Sequence, residues 1–414
     1  MQRNWQSFIL ANAFIAGACQ TPSAVDTAAD AAADGGGSTD AVALSFAPTV
    51  SDLSQIVPSA GLPKEIPFNH SNNNLDITQV GAETLLVFRS APDHFASTET
   101  KLYVVRSQDE KTWQYENSFA QNTDLREPRF LTFAGRTWLF YAVLGADSAT
   151  FTPQGTLVSE RLGPGNWTKP QAFYDPTFIL WRTHVIADTA YAIGYTNGQN
   201  LYSDTKDPVI VHWLQSTNGV DWQPVVAKHP TVLQGGTSET DFAFEDDGSV
   251  TAVARNEKGD AQGFGSRICR ANMGDWANWD CINDPKKYDS PLIFRHGGAT
   301  WLIGRRNLTA SGNFDRGFHS DSQEKQYFIN QVNYSGQPKR CALWRVHPIE
   351  RKVEFVLDLP SRGDTCFASA RPLDARRWVV YNYSSPVDGA DVAWSDGQAG
   401  DTRIYRQVLD FGAP

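Results

Sequence analysis

Short apolar stretches alternate with Gly-containing turns from Phe46 to the end of the chain. Stretches such as 84–89, 137–143 and 250–255 are rich in β-branched and aromatic residues. Nothing in this region has the period of a convincing amphipathic helix. Short strands joined by tight turns predict antiparallel hairpins, and hairpins along a whole chain predict a sandwich, a barrel or a propeller.

A turn that ends in Trp recurs and favours the propeller. The segments 107–113 and 216–222 resemble the Asp-box (BNR) turn, and looser forms occur at 165–167 and 275–276. In such a turn Ser and Asp or Asn side chains hold the backbone, and Trp fills the space between layers. A spacing of roughly 45 to 60 residues predicts an all-β fold, a six- or seven-bladed β-propeller of four-stranded antiparallel blades.

Aromatic composition supports strands, and the net charge limits the partners. The chain has 13 Trp, 13 Tyr and 23 Phe but only 2 Met, and aromatic rings suit a pleated sheet. Its net charge of −10 gives no electrostatic indication of a nucleic-acid partner. A local Arg cluster can still attract an anionic ligand to a mildly acidic protein.

The N-terminal residues predict export. Residues 1–19 have a positive start at Arg3, a short apolar run and small residues before Cys19, which resembles a bacterial lipoprotein signal peptide with a lipidated Cys. An ordinary secretory signal is the alternative. Residues 20–45 predict a disordered Ala/Asp/Gly tether, and residues 46–414 a single propeller domain. We expect a monomeric cell-envelope lipoprotein at the outer membrane or cell surface, or else a periplasmic or secreted protein.

The other four cysteines also fit an oxidising compartment. Cys269 and Cys281 are close in sequence, as are Cys341 and Cys366, so two local disulfides are the simplest of the possible pairings. Zinc is the competing interpretation, but the sequence has no CxxC or HxxxH pair. No metal site and no cofactor is predicted, and a structural calcium ion is left open.

Arginines at the ends of predicted strands mark a candidate binding site, because the inner strands of propeller blades converge on a central axis. A group of arginines can bind a sugar carboxylate or sulfate through paired hydrogen bonds. The candidates are Arg126, Arg129, Arg182, Arg255 and Arg305. For each Arg the alternative is an ion pair between blades, for example Arg255 with Glu239.

Groups for acid–base chemistry occur at similar positions. His94 follows an acidic residue in a loop and is a candidate general base, with a hydrogen-bonding loop histidine as the alternative. His70 precedes a run of Asn residues, of which Asn73 is expected to polarise a carboxylate, with a simple turn as the alternative for the run. Glu239 opens one strand pair, and Tyr195 ends another.

Short segments carry a resemblance to known propellers. Ser238-Glu239-Thr240-Asp241, Val253-Ala254-Arg255 and Ile303-Gly304-Arg305-Arg306 resemble the bacterial sialidase-like propeller superfamily. Asn72-Asn73-Asn74-Leu75-Asp76, His94-Phe95-Ala96-Ser97 and Leu125-Arg126-Glu127-Pro128-Arg129 are more similar to one branch, the propeller polysaccharide lyases of the ulvan-lyase type. As a pattern the resemblance covers most of residues 69–409.

The lyase resemblance implies β-elimination at a uronate of an acidic polysaccharide. Arg126, Arg182 and Arg255 would clamp the C6 carboxylate or a sulfate, and neutralising that carboxylate acidifies the C5 proton. His94 or His70 would remove this proton, and Tyr195 would protonate the departing O4. The remaining expected substrate contacts are Arg129, Arg305, Asn73 and Glu239.

Two other functions remain open, because one propeller fold hosts many activities. A sialidase-like exo-glycosidase predicts an Arg triad, a Tyr–Glu pair and a separate Asp, but the sequence has no Arg-Ile-Pro motif near the first blade. A noncatalytic, surface glycan-binding propeller predicts a funnel filled with aromatic residues and no acid–base pair. The expected partner is an anionic polysaccharide or a sialoglycan.

Overall fold

The computed structural model describes residues 47–148, 150–203, 205–318 and 320–412. The predicted signal peptide, the lipidation site at Cys19 and the tether at 20–45 lie outside the described residues. The described chain forms a six-bladed β-propeller in which each blade is an antiparallel sheet of four strand positions. The prediction of an all-β propeller is confirmed, with six blades rather than seven.

The strands follow one another blade by blade, beginning with β1 (Thr49–Val57). Blade 1 contains β2 (Ser71–Val80), β3 (Glu83–Ala91), β4 (Lys101–Ser107) and β5 (Gln114–Phe119). Blade 2 contains β6 (Asp124–Phe133), β7 (Arg136–Leu144), β8 (Pro153–Gly163), β9 (Asn166–Trp167) and β10 (Gln171–Phe173). Blade 3 contains β11 (Ile179–Ile186), β12 (Thr189–Thr196), β13 (Val209–Ser216), β14 (Gln223–Pro224) and β15 (Thr231–Gly235), with a 3-10 helix at Gly198–Tyr202.

The second half continues this order. Blade 4 contains β16 (Thr240–Phe244), β17 (Val250–Asp260), β18 (Gly263–Ala271) and β19 (Asp280–Asp284). Blade 5 contains β20 (Leu292–His296), β21 (Ala299–Asn307), β22 (Lys339–His347) and β23 (Lys352–Leu359), with helix α1 (Gln323–Ser335) between β21 and β22. Blade 6 contains β24 (Ser369–Pro372), β25 (Arg377–Ser384) and β26 (Arg403–Asp410), with helix α2 (Trp394–Ala399) between β25 and β26.

The two ends of the described chain close the ring. Blade 6 has the order β1–β26–β25–β24, so β1 is its outermost strand and pairs with β26. Val50 lies opposite Leu409, and Gln55 lies opposite Tyr405. The first strand of the chain thus completes the sheet that the last three strands begin, which ties the two ends of the domain together.

Apolar side chains pack between neighbouring blades. Successive residues of a strand face opposite sides of the sheet, so each blade has two faces to bury. At the junction of blades 6 and 1 the core includes Leu86, Phe88, Tyr381 and Ile404. Fully burying an aliphatic or aromatic side chain of this size contributes about 1.5–3 kcal/mol. Such inter-blade packing holds the inner strands in place around the axis.

The recurring Trp turns lie between the third and fourth strands of a blade, as the Asp-box interpretation predicts. Ser107 Oγ donates to Thr112 O at 2.7 Å, and Asp109 Oδ1 accepts from Thr112 N at 2.7 Å. Asn218 takes the corresponding part in the turn after β13. Trp113 is buried in the core between blades 1 and 6. These turns are therefore scaffold, away from the axis.

Helix α1 is a difference from the sequence prediction, which found no convincing helix after Phe46. The helix begins after Ser322, whose side chain caps its first turn. Its buried residues are Asn330, Gln331 and Tyr334. The inward face is polar, so no apolar stripe marks the helix in the sequence.

Two disulfides reinforce blades 4 to 6. Cys269 and Cys281 are opposite each other on β18 and β19. Cys341 on β22 is bonded to Cys366, which lies just before β24, so this bridge joins blade 5 to blade 6. The pairing is the local one, and two disulfides indicate an exported protein. No helix in the described part of the chain is long and apolar enough to cross a membrane.

The six inner strands (β2, β6, β11, β16, β20 and β24) surround the axis and give it two ends. We call the end where these strands begin the upper mouth and the end where they finish the lower mouth. Between the mouths, the rings of Trp181 and Phe367 meet edge to face at 5.5 Å. Arg129 and Arg182 lie beside them, 1% and 3% exposed. These four buried side chains fill the axis between the two mouths.

Candidate active site at the upper mouth

Charged residues of both signs crowd the upper mouth. They come from the beginnings of inner strands, the ends of second strands and the loops between them. The charged members of this upper network are Arg89, Asp124, Arg126, Glu127, Glu239, Arg255, Glu257, Lys287, Asp289, Arg305 and Asp364. Buried charges are retained in proteins when partners compensate them, and such clusters are frequent at functional sites.

Asp364 brings a histidine and a tyrosine together. His94 Nδ1 lies 2.6 Å from Asp364 Oδ2, and Tyr383 donates its phenol hydrogen to Asp364 Oδ1 at 3.0 Å. Trp394 Nε1 donates to the same Oδ1 at 2.9 Å. Burial alone would raise the pKa of Asp364, but the charge and hydrogen bond of His94, helped by Arg305, hold it below its usual range. The ionised carboxylate can therefore fix the orientation of the His94 ring.

Tyr383 stays protonated in this arrangement. Burial raises its pKa well above the usual range, and the adjacent Asp364 carboxylate reinforces the shift. A neutral phenol beside a histidine–carboxylate pair can donate a proton but is a poor base at neutral pH. The side of the mouth formed by blades 1 and 6 thus combines a candidate base with a candidate acid.

Arg126 fixes the loop that carries His94. Its Nη2 donates to His94 O at 2.6 Å, and its Nε donates to Asp124 Oδ2 at 2.5 Å. Arg89 binds the other oxygen of Asp124 through Nε and Nη2 at 3.1 and 2.9 Å. Asn73 is buried and accepts from Arg89 Nη1 at 3.4 Å, so its amide supports this arginine. Arg126 keeps a partly exposed guanidinium at the mouth.

Arg255 and Arg305 belong to a second group of ion pairs, on blades 4 and 5. Arg255 Nη1 lies 2.9 Å from Glu239 Oε1 and 3.3 Å from Glu257 Oε2. Arg305 Nη1 lies 2.9 Å from Asp289 Oδ2, and its Nε donates to Thr365 O at 2.7 Å. The pairing of Arg255 with Glu239, which the sequence left as an alternative, is therefore present.

Helix α1 completes this group with its polar face. Tyr334 donates its hydroxyl hydrogen to Asp289 Oδ2 at 2.7 Å, and Gln331 donates to Glu257. Lys287 Nζ lies 2.9 Å from Glu257 Oε1 and 4.1 Å from the centre of the Tyr334 ring. The helix therefore supports the carboxylates that surround Arg255 and Arg305, which explains why its buried face is polar.

Glu127 has several marks of a functional residue. It lies in a bulge of β6 between Arg126 and Arg129, with a backbone φ of +51°. One carboxylate oxygen, Oε2, is buried and has no hydrogen-bond partner among the described residues. Burial raises the pKa of Glu127 to about 7, with a further contribution from the charge of Glu239. Backbone strain, an unsatisfied polar atom and a raised pKa are each associated with functional sites.

The remaining predicted residues lie in different places. Tyr195 ends β12 and is buried, and burial raises its pKa well above the usual range, opposed by Arg255. His70 has a side chain 79% exposed and pairs with Asp401 at 2.8 Å, and no contact joins it to the upper network within the described residues. His94, Arg126, Glu239, Arg255 and Arg305 are brought together at the upper mouth.

Arg129 and Arg182 lie deeper than a surface-bound sugar would reach from the upper mouth. Arg182 donates to three main-chain carbonyl oxygens, those of Pro291, Ala368 and Ser290, at 3.0, 3.1 and 3.4 Å. Arg129 stacks on the ring of Phe367 at 4.1 Å. These contacts hold both arginines in the axis, and their contact with a substrate stays a prediction.

Sequence reasoning gave no role to Tyr383, Glu127 or Asp364. A signal for Tyr383 was available, because Arg89, Tyr195 and Arg305 also lie near the ends of second strands. The same position on β25 is occupied by Tyr383. For Glu127 the signal is structural: only its bulge, its burial and the neighbouring Glu239 distinguish it.

No protein-family model matches the chain, and no curated protein sequence matches it. Among solved structures, the fold is similar to a crystal structure of a Dyadobacter fermentans protein of unknown function, with 14% identity, a TM-score of 0.57 and coverage of 88% of this chain and 99% of that one. Trypanosoma rangeli sialidase in complex with the inhibitor DANA aligns with 13% identity and a TM-score of 0.51.

The sialidase alignment covers 82% of this chain but only 55% of the sialidase chain. A second structure of the same sialidase, at 12% identity, has the same TM-score of 0.51. At this level of identity the similarity establishes a shared propeller fold. The chain therefore has the fold of the sialidase-like propellers, and its chemistry must be argued from its own residues.

Proposed function

We propose that the protein is an exported, carbohydrate-active enzyme that cleaves an acidic polysaccharide at a uronate by β-elimination, as the ulvan-lyase-type propellers do. The observation that carries the proposal is the shared carboxylate of Asp364, which holds both His94 and Tyr383 at one mouth. Arg126 donates to the His94 loop, and Arg305 stacks on Trp394 at 4.9 Å. A base, an acid and two cations at one site are what β-elimination requires.

The reaction begins at the sugar carboxylate. Arg126 and Arg305 neutralise the C6 carboxylate, which lowers the energy of the enolate-like intermediate and acidifies the C5 proton. His94 removes that proton with Nε2, since Nδ1 faces Asp364. The electron pair of the C5–H bond forms the C4–C5 double bond, and the C4–O4 bond breaks. The ionised Asp364 stabilises the resulting imidazolium.

A tyrosine supplies the proton to the departing O4. Tyr383 is the first candidate because it contacts the same carboxylate as His94. Tyr195, the candidate from sequence, interacts electrostatically with Arg255, Glu127 and Glu239 on another side of the mouth. Both phenols are neutral because burial raises their pKa values. Phe substitution at each position distinguishes the two.

Other features are consistent with an acidic glycan outside the cell. A Trypanosoma rangeli sialidase with the same fold has been solved with sialic acid, a carboxylated sugar. The two disulfides suit an oxidising compartment. In this proposal Cys19 carries the lipid anchor, and mass spectrometry of the N-terminal peptide of the mature protein tests it.

Hydrolysis is a second candidate, favoured by Glu127. A carboxylic acid whose pKa is raised to about 7 is suited to protonate a glycosidic oxygen. Glu239 contributes to that shift and would be the second carboxylate of a hydrolase. Hydrolysis adds water across the glycosidic bond, so its products are saturated.

The two reactions are distinguished by their products. The purified mature protein is incubated with ulvan, alginate, glycosaminoglycans and sialyl oligosaccharides. β-Elimination produces absorbance of an unsaturated uronate together with new reducing ends, whereas hydrolysis produces new reducing ends alone. Unsaturated product from at least one uronate polymer supports the lyase. Reducing ends without that absorbance would establish a hydrolase, and glycan binding without any product would establish a noncatalytic propeller.

A further inference from the structure

The lower mouth contains a cavity of about 390 Å³, which all six inner strands line. Its deep end is formed by Arg129 and Arg182, and its walls include Phe242, Phe294 and Trp378. No member of the upper network lines it. The volume lies within the range of about 300–1,000 Å³ that is typical of small-molecule sites, which combine apolar walls with a few polar groups.

Arg129 has an unused hydrogen-bond donor at this deep end. Its Nε donates to Trp181 O at 2.5 Å, and its Nη1 donates to Leu75 O at 3.4 Å. Its Nη2 is buried and has no hydrogen-bond partner in the part of the chain that the structure describes. A buried donor without an acceptor costs about 1–3 kcal/mol. The neighbouring Arg182, in contrast, uses all three of its nitrogens on carbonyl oxygens.

The carboxylates near the cavity are already satisfied. Asp76 accepts from Ser369 Oγ at 2.5 Å and from Phe130 N at 2.7 Å. Asp241 pairs with His184 Nε2 at 2.6 Å and accepts from Ile293 N at 2.6 Å. The deep end therefore has one donor, Arg129 Nη2, whose missing acceptor a ligand can supply.

The acceptor that fits best carries a negative charge. Burial, together with the like charge of Arg182, lowers the pKa of Arg129 to about 9, although the carboxylates of Asp76, Glu127 and Asp241 oppose the shift. An anion beside the guanidinium would oppose both effects, and hydrogen bonds to ionised groups are roughly twice as strong as neutral ones. The rings around the cavity suit an apolar or aromatic body rather than a bare inorganic ion.

We propose that the lower mouth binds a small organic carboxylate, whose carboxylate accepts from Arg129 and whose apolar body packs against Phe242, Phe294 and Trp378. This site is separate from the upper mouth, because buried side chains fill the axis between the two. The proposal does not depend on the activity of the upper mouth.

Benzoate is the probe, and benzamide is its uncharged counterpart. Isothermal titration calorimetry of the mature protein is expected to show saturable benzoate binding, with benzamide at least about tenfold weaker because it lacks the charge. Arg129→Met removes the donor and should abolish the binding. Ala370→Phe places a ring in the cavity without altering Arg129 and should also abolish it.

Upper-mouth and folding controls make the test decisive. His94→Gln changes only the upper mouth and should leave benzoate affinity within about twofold, since distant sites behave independently. Circular dichroism checks each variant for folding, and if Arg129→Met does not fold, Ala370→Phe carries the test. The proposal is overturned if folded wild-type protein shows no saturable binding. It is also overturned if binding survives Ala370→Phe or is lost in His94→Gln.

Discussion

The upper and lower mouths are opposite ends of the same six strands, yet they differ in chemistry. At the upper mouth, carboxylates and arginines pair with one another around His94, Tyr383 and Glu127. At the lower mouth, aromatic and aliphatic side chains form most of the lining of a cavity that has Arg129 and Arg182 at its deep end. The strand beginnings thus carry groups able to move protons, whereas the strand ends carry a surface suited to binding.

The chemical difference between the upper and the lower mouth is not explained by stability alone. Pairing buried charges only about offsets the cost of removing them from water, and apolar replacements are often as stable. At the lower mouth, by contrast, apolar side chains form most of the lining and charged side chains are fewer. The dense ion pairs of the upper mouth therefore point to a chemical role, and the following predictions test that contrast.

The largest expected effect is at Asp364. Asp364→Ala leaves His94, Tyr383 and Trp394 without their shared acceptor. We expect a loss of about 3–5 kcal/mol in the free energy of unfolding, as when one partner of a buried pair is removed. Asp401→Ala breaks the exposed pair with His70 and should cost no more than about 1 kcal/mol. Urea denaturation at neutral pH measures the free energy of unfolding of both variants. Equal losses would contradict the expected difference between the buried pair and the exposed pair.

The same residue gives a pH dependence. The pKa of Asp364 is lower in the folded protein than its ordinary value of 3.8. Its stabilising contribution is therefore complete above the unfolded pKa and is lost as the pH falls through the folded pKa. The stability difference between wild type and Asp364→Asn should shrink in acid, and a difference that grows in acid would refute this sign.

The next effect concerns the axis between the mouths. Arg182→Met removes a donor from three buried carbonyl oxygens, of which that of Pro291 keeps a bond from Trp181 Nε1, so we expect a loss of about 2–3 kcal/mol. Arg376→Met, at an exposed ion pair with Asp410, should cost less than about 1 kcal/mol. If Arg182 instead clamps substrate, as the sequence predicts, Arg182→Met would weaken glycan binding while leaving the unfolding transition unchanged.

These positions show what sequence could and could not establish. The fold was predictable because hairpin periodicity and the Trp turns are local features. The partnership of His94 with Asp364 spans 270 positions and depends on ring closure, so local pattern could not reveal it. The depth of Arg182 along β11 could not be predicted either, because a shift of one residue moves a side chain to the other face of the sheet, and a sequence does not fix that register.

A smaller effect is expected at Glu127. Its pKa is raised to about 7 in the folded protein, above its ordinary value of 4.5. A raised pKa means that stability is greatest below the unfolded pKa and is lost as the pH rises through about 7. Glu127→Gln removes this titration. The free energy of unfolding of the variant should therefore rise by about 1–2 kcal/mol relative to that of the wild type as the pH increases from 5 to 8. Urea denaturation across that interval is the measurement.

The control for this experiment is Glu99→Gln, at an exposed glutamate in the loop before β4. The stability of Glu99→Gln should depend on pH in the same way as that of the wild-type protein. A Glu127→Gln variant that does the same would show that Glu127 is ionised normally, and the hydrolase alternative would lose its support.

The smallest effect is expected at the scaffold, away from both mouths. Ser107→Ala removes the side-chain bonds that hold the turn after β4, and Ser216→Ala does so after β13. Each should cost about 1 kcal/mol of stability without altering ligand binding at either mouth. Thermal unfolding and the benzoate titration check this, and a change in affinity would mean that the turns are coupled to the axis.

The central claim is that the upper mouth is an active site built on His94. The most direct test compares the rate of unsaturated uronate formation in wild type, His94→Gln and His70→Gln. We predict that His94→Gln is slower by at least about 100-fold, the usual contribution of a general base. His70→Gln, outside the upper network, should keep the wild-type rate. Equal rates for wild type and His94→Gln would contradict the account, as would the absence of unsaturated product from every uronate polymer.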